Sequence, residues 1–218
     1  HFHVPQCGGN SINYFFKLNF GFRLTQLNRN TNKKIQSYID NKHFIYAAHV
    51  GIDFVMENNK IDNQYFYILC IRNPRNRLLS NYFRNKKISF EDNEEYVSLE
   101  VFLKQRLKQN LDNIFVRYLS GDMIYDGSYL NQNIDQKIFE KAVTNLKKIN
   151  FIFNIDQSNK YFSSLINVLG IKLPFSSIFT IHKNKVTDSQ YPKISQQAEK
   201  LLNKLTFYDT KLYNQYKD

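Results

Sequence analysis

An apolar, β-prone run from Tyr65 to Ile71 (YFYILCI) ends at Arg72-Asn73-Pro74, and Leu78, Leu79, Tyr82 and Phe83 then recur at helical spacing. The run predicts a buried strand, and Pro74, with no N–H and a fixed φ, stops its ladder. The same grammar opens the chain. His1 to Pro5 reads as a short strand, Gly8-Gly9 as a loop, and Ile12, Phe15, Phe16 and Phe20 as a helix. His43 to Ala48 (HFIYAA) predicts a second buried strand that delivers His49 at its end, after a polar stretch from Asn28 to Asn41. Leu99 to Leu107 and Ile138 to Leu146 are amphipathic helical patterns, Phe151 to Asn154 a short strand, and Tyr161 to Leu169 a helix with Gly170 and Pro174 as its stop signals. Ile194 to Tyr216 reads as one closing helix. Strands alternating with helices argue a parallel α/β sheet, whose ligands belong at the carboxyl ends of its strands.

No repeat or low-complexity linker interrupts the 218 residues, so residues 1–218 read as a single domain. Apolar residues at 42% supply enough core to exclude wholesale disorder. The apolar runs are strand-sized, far below the roughly 18 residues of a membrane span, so no membrane span is expected. Lys+Arg 30 against Asp+Glu 19 gives a net charge of +11, which favours an anionic partner without choosing among nucleotide, nucleic acid, acidic polysaccharide and membrane surface. Cys7 and Cys70 form neither a disulfide framework nor a CxxC pair, so two free thiols are expected. The five histidines have no ligand spacing, so no metal is expected.

Two loops carry the chemistry. Pro5-Gln6-Cys7-Gly8-Gly9-Asn10-Ser11 lies between a strand and a helix, where N–H groups and a helix N-terminus converge as in a phosphate cradle; alone it reads equally as an ordinary βα turn. It is no Walker A loop, since GxxxxGK[ST] is absent, which disfavours a magnesium-dependent kinase or ATPase. After the third predicted strand, Arg72 and Ser80 place a guanidinium fork and a hydroxyl where both can close on one phosphate. Together these are two anion sites at neighbouring strand ends.

HVPQCGGNSI resembles the 5′-phosphosulfate loop of the carbohydrate sulfotransferases, usually HIPKTGGTS, and IRNPRNRLLSNYF resembles their 3′-phosphate motif, usually LRDPVERLLSHYY. Asn113 to Gly121 (NIFVRYLSG) is similar to their NRQTRYLSG stretch, and Ala142 to Gly170 to their later strand and helix. His182 to Val186 (HKNKV) is similar to their late Asn-Lys loop, and Thr206 to Tyr216 to their closing D-x-x-L-Y helix. The branch most resembled is the heparan and uronyl 2-O- and 6-O-sulfotransferases. The resemblance implies a P-loop-like three-layer α/β fold, a central parallel sheet flanked by helices. It implies 3′-phosphoadenosine 5′-phosphosulfate as sulfo donor, in-line transfer to a hydroxyl of a carbohydrate acceptor without a metal, and adenosine 3′,5′-bisphosphate as product. The site it implies is Gln6, Cys7, Gly8, Gly9, Asn10 and Ser11 around the 5′-phosphosulfate, with Arg72 and Ser80 on the 3′-phosphate. Arg117 and Lys185 stand as further donor-site cations or as plain surface cations. His49 is the implied general base; a free imidazole titrates near pH ~6.5 and can accept a proton at neutral pH. His3 also matches the pattern, but inside a strand it reads as structural.

Gln6 departs from the pattern, which has Lys there. It can donate a hydrogen bond but brings no charge to the leaving phosphate, and loss of such a donor costs on the order of a hundredfold in rate. Lys17, Arg23 or Lys185 as a substitute cation, a slow or donor-binding homologue, and an engineered change at Gln6 all stay open. A third class, a basic nucleic-acid-binding domain with stacking aromatics, lacks any RNP, KH or helix-turn-helix signature. The expected location is cytoplasmic, of bacterial type, or the Golgi lumen if an anchor preceded His1. The segments Arg84 to Val97 and Asp122 to Asn133 read as loops that choose the acceptor.

Overall fold

The computed structural model describes residues 2–4, 6–8, 12, 16, 24–27, 44–48, 52, 66–92, 95–121, 133–170 and 193–216. Five strands form one sheet: β1 (Phe2–His3), β2 (Leu24–Leu27), β3 (Phe44–Ala48), β4 (Ile68–Ile71) and β5 (Phe151–Asn154). Their order is β2-β3-β1-β4-β5 and every pairing is parallel. The chain is thus mixed α/β with a parallel sheet, as the alternation predicts. All four residues of β4 are buried, which explains why that strand reads as continuous apolar sequence instead of alternating. β2, by contrast, is an edge strand of two leucines around Thr25 and Gln26, and it carries little strand signal in the sequence.

Among the described residues the helices are α1 (Pro74–Glu91), α2 (Leu99–Lys108), α3 (Ile114–Ser120), α4 (Gln136–Leu146), α5 (Ser158–Val168), α6 (Gln196–Leu205) and α7 (Phe207–Asn214). A single 3₁₀ turn, Ile155–Gln157, joins β5 to α5. Pro74 occupies the first helical position of α1, where a missing N–H costs nothing, and Asn73 caps it by accepting from Asn76 N at 3.1 Å. α1 runs on to Glu91, so the first half of Arg84 to Val97 is helix where a loop was expected. No Gly or Pro interrupts it, and Lys87 pairs with Glu91 one turn on at 3.6 Å. Gly170, at φ 62, supplies the left-handed residue that ends α5.

The expected closing helix is two helices broken at Thr206. The Thr206 hydroxyl donates back to Leu202 O at 2.9 Å, in competition with the helix ladder. Asn113, left-handed at φ 45, is wedged into the break: its N–H donates to Leu205 O at 2.7 Å and its Oδ1 accepts from Tyr208 N at 2.8 Å. The main core packs β4 and Phe153 of β5 against α3, Ala142 and Leu146 of α4, Leu165 of α5 and Leu212 of α7. A second apolar cluster joins α1, α2 and α6 through Leu79, Leu103 and Leu202.

The order of the sheet sets where a ligand can sit. The connection leaving β1 runs to β2, beyond β3, while the connection leaving β4 runs to β5 on the other side. β1 and β4 are therefore the adjacent strands at which the order of the sheet reverses, the place where parallel sheets of this kind form a ligand-binding crevice at their carboxyl ends.

Candidate functional site

The loop after β1 begins as a tight turn. Cys7 N donates to Val4 O at 3.2 Å, and Gln6, the third residue of the turn so closed, has φ 67. A type II turn has this layout, and it places Gln6 where glycine is usual. Gly8 follows at φ 77, and its carbonyl accepts from Ile12 N at 3.2 Å, the first helical bond beyond the turn. A Cβ on Gly8 would lie 2.6 Å from Ile155 Cδ1, so this glycine is required both by its φ and by its approach to the segment after β5. The Cys7 side chain points inward and is fully buried, and burial pushes its thiol up to about 12; Cys70 is raised for the same reason. Both are free thiols, and neither supplies a thiolate nucleophile.

Three strand ends are tied together at the crevice. Arg72, just past β4, donates from Nη1 to Gln6 O at 3.3 Å, and its Nε lies 3.8 Å from Asp156 Oδ1. Asp156, in the turn after β5, accepts from Asn73 N at 2.6 Å and from the Tyr213 hydroxyl at 3.3 Å. Burial raises the Tyr213 phenol above its ordinary value, which keeps it a donor. The buried Asn154 completes the network, donating to Tyr213 Oη at 3.2 Å and accepting from Asp156 N at 3.1 Å. Arg72 is partly exposed and spends only part of its fork on these contacts, so donors remain for an oxyanion in the crevice.

The structure thus brings together Gln6, Cys7, Gly8 and Arg72. Ser80 lies half-buried in α1, one turn beyond Arg77 on the same helix face. Arg117 is no surface cation: it is fully buried in α3, where Nε donates to Asp112 O at 3.0 Å and Nη2 to Asp112 Oδ1 at 2.6 Å. Such a pair is a structural device of the core. Gly9, Asn10, Ser11, His49 and Lys185 lie outside the described residues, as do Lys17 and Arg23. β3 ends at Ala48, so His49 is next in sequence after that strand.

Sequence reasoning passed over three residues. Asp156 and Tyr213 meet Arg72 only through the fold. Arg77 is the third, 5% exposed on α1 with its guanidinium over the Phe115 ring at 5.8 Å. Its signal was its spacing, four residues after Asn73 and three before Ser80. Asp209 of α7, in the same neighbourhood, is fully buried and accepts from Phe115 N at 3.1 Å and Val116 N at 3.0 Å, capping α3. Burial raises its carboxyl to about 6, against the opposing pull of Arg77 and the two N–H groups.

Among the described residues no group of three or more His, Cys, Asp or Glu could hold a metal ion, and no helix is long and apolar enough to cross a membrane. No protein-family model matches the chain, and a search of the curated proteins finds no match.

Proposed function

We propose that the chain is a sulfotransferase that takes 3′-phosphoadenosine 5′-phosphosulfate as donor and a carbohydrate hydroxyl as acceptor, on a P-loop-like fold of three layers. The observation that carries the reading is the 3.3 Å bond from Arg72 Nη1 to Gln6 O, which joins the two resembling motifs across 66 residues of chain. The donor set fits the group: a guanidinium, amide N–H groups and a hydroxyl are what a multiply charged oxyanion needs. The acidic neighbour, Asp156, is spent on Arg72, Asn73 N and Tyr213, so its charge is answered from within the protein.

On this reading the N–H groups of Gly8, Gly9, Asn10 and Ser11 receive the 5′-phosphosulfate end, and Arg72 with Ser80 grips the 3′-phosphate. The bound donor supplies an activated sulfo group, which needs no metal. His49 takes the proton of the acceptor hydroxyl, and Lys185 is a further cation for the donor. The buried pairing of Arg117 with Asp112 favours a supporting role for that residue. A labelled-sulfate transfer assay on a glycan panel tests the reading. Transfer that is lost in His49→Ala supports it, and a panel without transfer, together with Gln6→Lys equally silent, contradicts it.

Gln6 favours a second reading, a catalytically impaired relative that binds the nucleotide or an anionic glycan. Its backbone serves the turn and its carbonyl serves Arg72, but its side chain brings no charge to a leaving phosphate. Transfer gained in Gln6→Lys, by a hundredfold or so, is the mark of that reading.

A further inference from the structure

Arg77 is the unexplained charge of this site. Its side chain is 5% exposed, and its Nε has no hydrogen-bond partner. Among the described residues no carboxylate lies at ion-pair distance from it: the ion pairs there join Arg72 to Asp156, Arg75 to Glu199, Lys87 to Glu91 and Arg117 to Asp112. Asp209 acts on it from farther off, and both oxygens of that carboxylate are already taken by the N–H groups of Phe115 and Val116. A guanidinium Nε–H withdrawn from water without a hydrogen bond carries the full cost of its lost hydration. The face of Phe115 returns only a small part of that cost.

The position of Arg77 says what the missing partner is. It follows Asn73, the cap of α1, by one turn, with Arg77 N donating to Asn73 O at 2.9 Å. Its charge, like that of Arg72, acts to lower the Cys7 thiol against the larger effect of burial. Arg72, just before α1, and Arg77, one turn inside it, thus both stand at the positive end of that 18-residue helix. A guanidinium with an unspent Nε–H at such a place matches a tetrahedral oxyanion.

We propose that Arg77 is the inner anion-binding residue at the carboxyl ends of β1 and β4, its buried Nε–H finding its hydrogen-bond partner in a phosphate- or sulfate-class oxyanion bound there. The proposal deepens the donor-binding reading and rests on it for the identity of the nucleotide, though not for the anion itself. Arg72 is then the outer, partly solvated contact and Arg77 the one that discriminates charge.

Arg77→Met keeps the apolar stem over Phe115 and removes the charge. Calorimetric titration of wild type and variant with 3′-phosphoadenosine 5′-phosphate, and with inorganic pyrophosphate as a plain oxyanion, is read beside the thermal midpoint of each protein. The expected result is an affinity roughly ten- to a hundredfold lower in the variant, from loss of a charge-assisted contact, with no fall in midpoint because a buried unpaired charge has gone. Nucleotide affinity unchanged in Arg77→Met overturns the proposal, as does a fallen midpoint with unchanged affinity, the behaviour of a structural strut. Wild type that ignores the nucleotide but binds pyrophosphate through Arg77 supports the proposal and removes the sulfotransferase reading. Wild type that binds neither overturns both. Where Arg77→Met does not fold, Arg77→Gln, which keeps side-chain N–H donors, is read by the same criteria.

Discussion

The loop after β1 turns on single residues whose backbone angles leave few substitutes. Gly8 combines φ 77 with the near contact to Ile155, so Gly8→Ala meets both a strained backbone and a clash. We predict a loss of about 1–3 kcal/mol in denaturant unfolding, together with weakened anion binding; unchanged stability would show that the loop relaxes freely. Gly8 was legible in the sequence because a Gly-Gly pair between a strand and a helix has few other uses. The positive φ of Gln6 was not, since no local signal puts glutamine in a left-handed turn position. Arg72 was legible for a related reason. A cation between a buried strand and a proline has no ladder to join and must project from the strand end.

At the scale of elements, α3 and the α6–α7 break are held by two buried polar side chains, and each makes a prediction. Asn113 spans the break and also donates to Asp112 Oδ2 at 2.8 Å, so Asn113→Ala takes the shared acceptor from the N–H groups of Tyr208 and Asp209 and a donor from the Asp112 carboxylate; a loss of about 2–4 kcal/mol in unfolding free energy is expected. Asp209 caps α3 from α7, with a carboxyl raised from 3.8 to about 6. Between those values the folded chain holds a proton that the unfolded chain has released, so this group favours folding most at low pH. Its contribution falls as pH rises from about 4 to about 6. Urea unfolding across that range should show the decline in wild type and a flatter profile in Asp209→Asn; parallel profiles would mean that the carboxyl is ionised throughout. These elements were half legible. The strands at Phe44–Ala48 and Phe151–Asn154 and the helices α2, α4 and α5 follow from periodicity alone. The break at Thr206 does not, because Asn113, which fills it, lies more than ninety residues away in sequence. Edge strand β2 is short and mixed in polarity, and only its pairing to β3 makes it a strand.

For the whole molecule, the parallel order β2-β3-β1-β4-β5 brings two sequence motifs to adjacent strand ends, and the net charge of +11 attracts anions to the chain as a whole. Nucleotide binding should therefore weaken by roughly tenfold between low and high salt, as screening shortens the reach of that field; an affinity indifferent to salt would place the contacts in apolar surface instead. Among the described residues Phe102, Phe115, Tyr118, Phe139, Phe153 and Phe162 are core residues that offer no stacking face, whereas Phe66 and Phe207 are exposed. Random oligonucleotides are accordingly expected not to displace the nucleotide. Calorimetric titration of the full chain with 3′-phosphoadenosine 5′-phosphate, beside Arg72→Ala, asks whether the Gln6 and Arg72 loops hold an adenosine bisphosphate. One site per chain is expected in wild type, weakened at least tenfold in the variant. No heat of binding in a folded wild type, or equal affinity in Arg72→Ala, would contradict it.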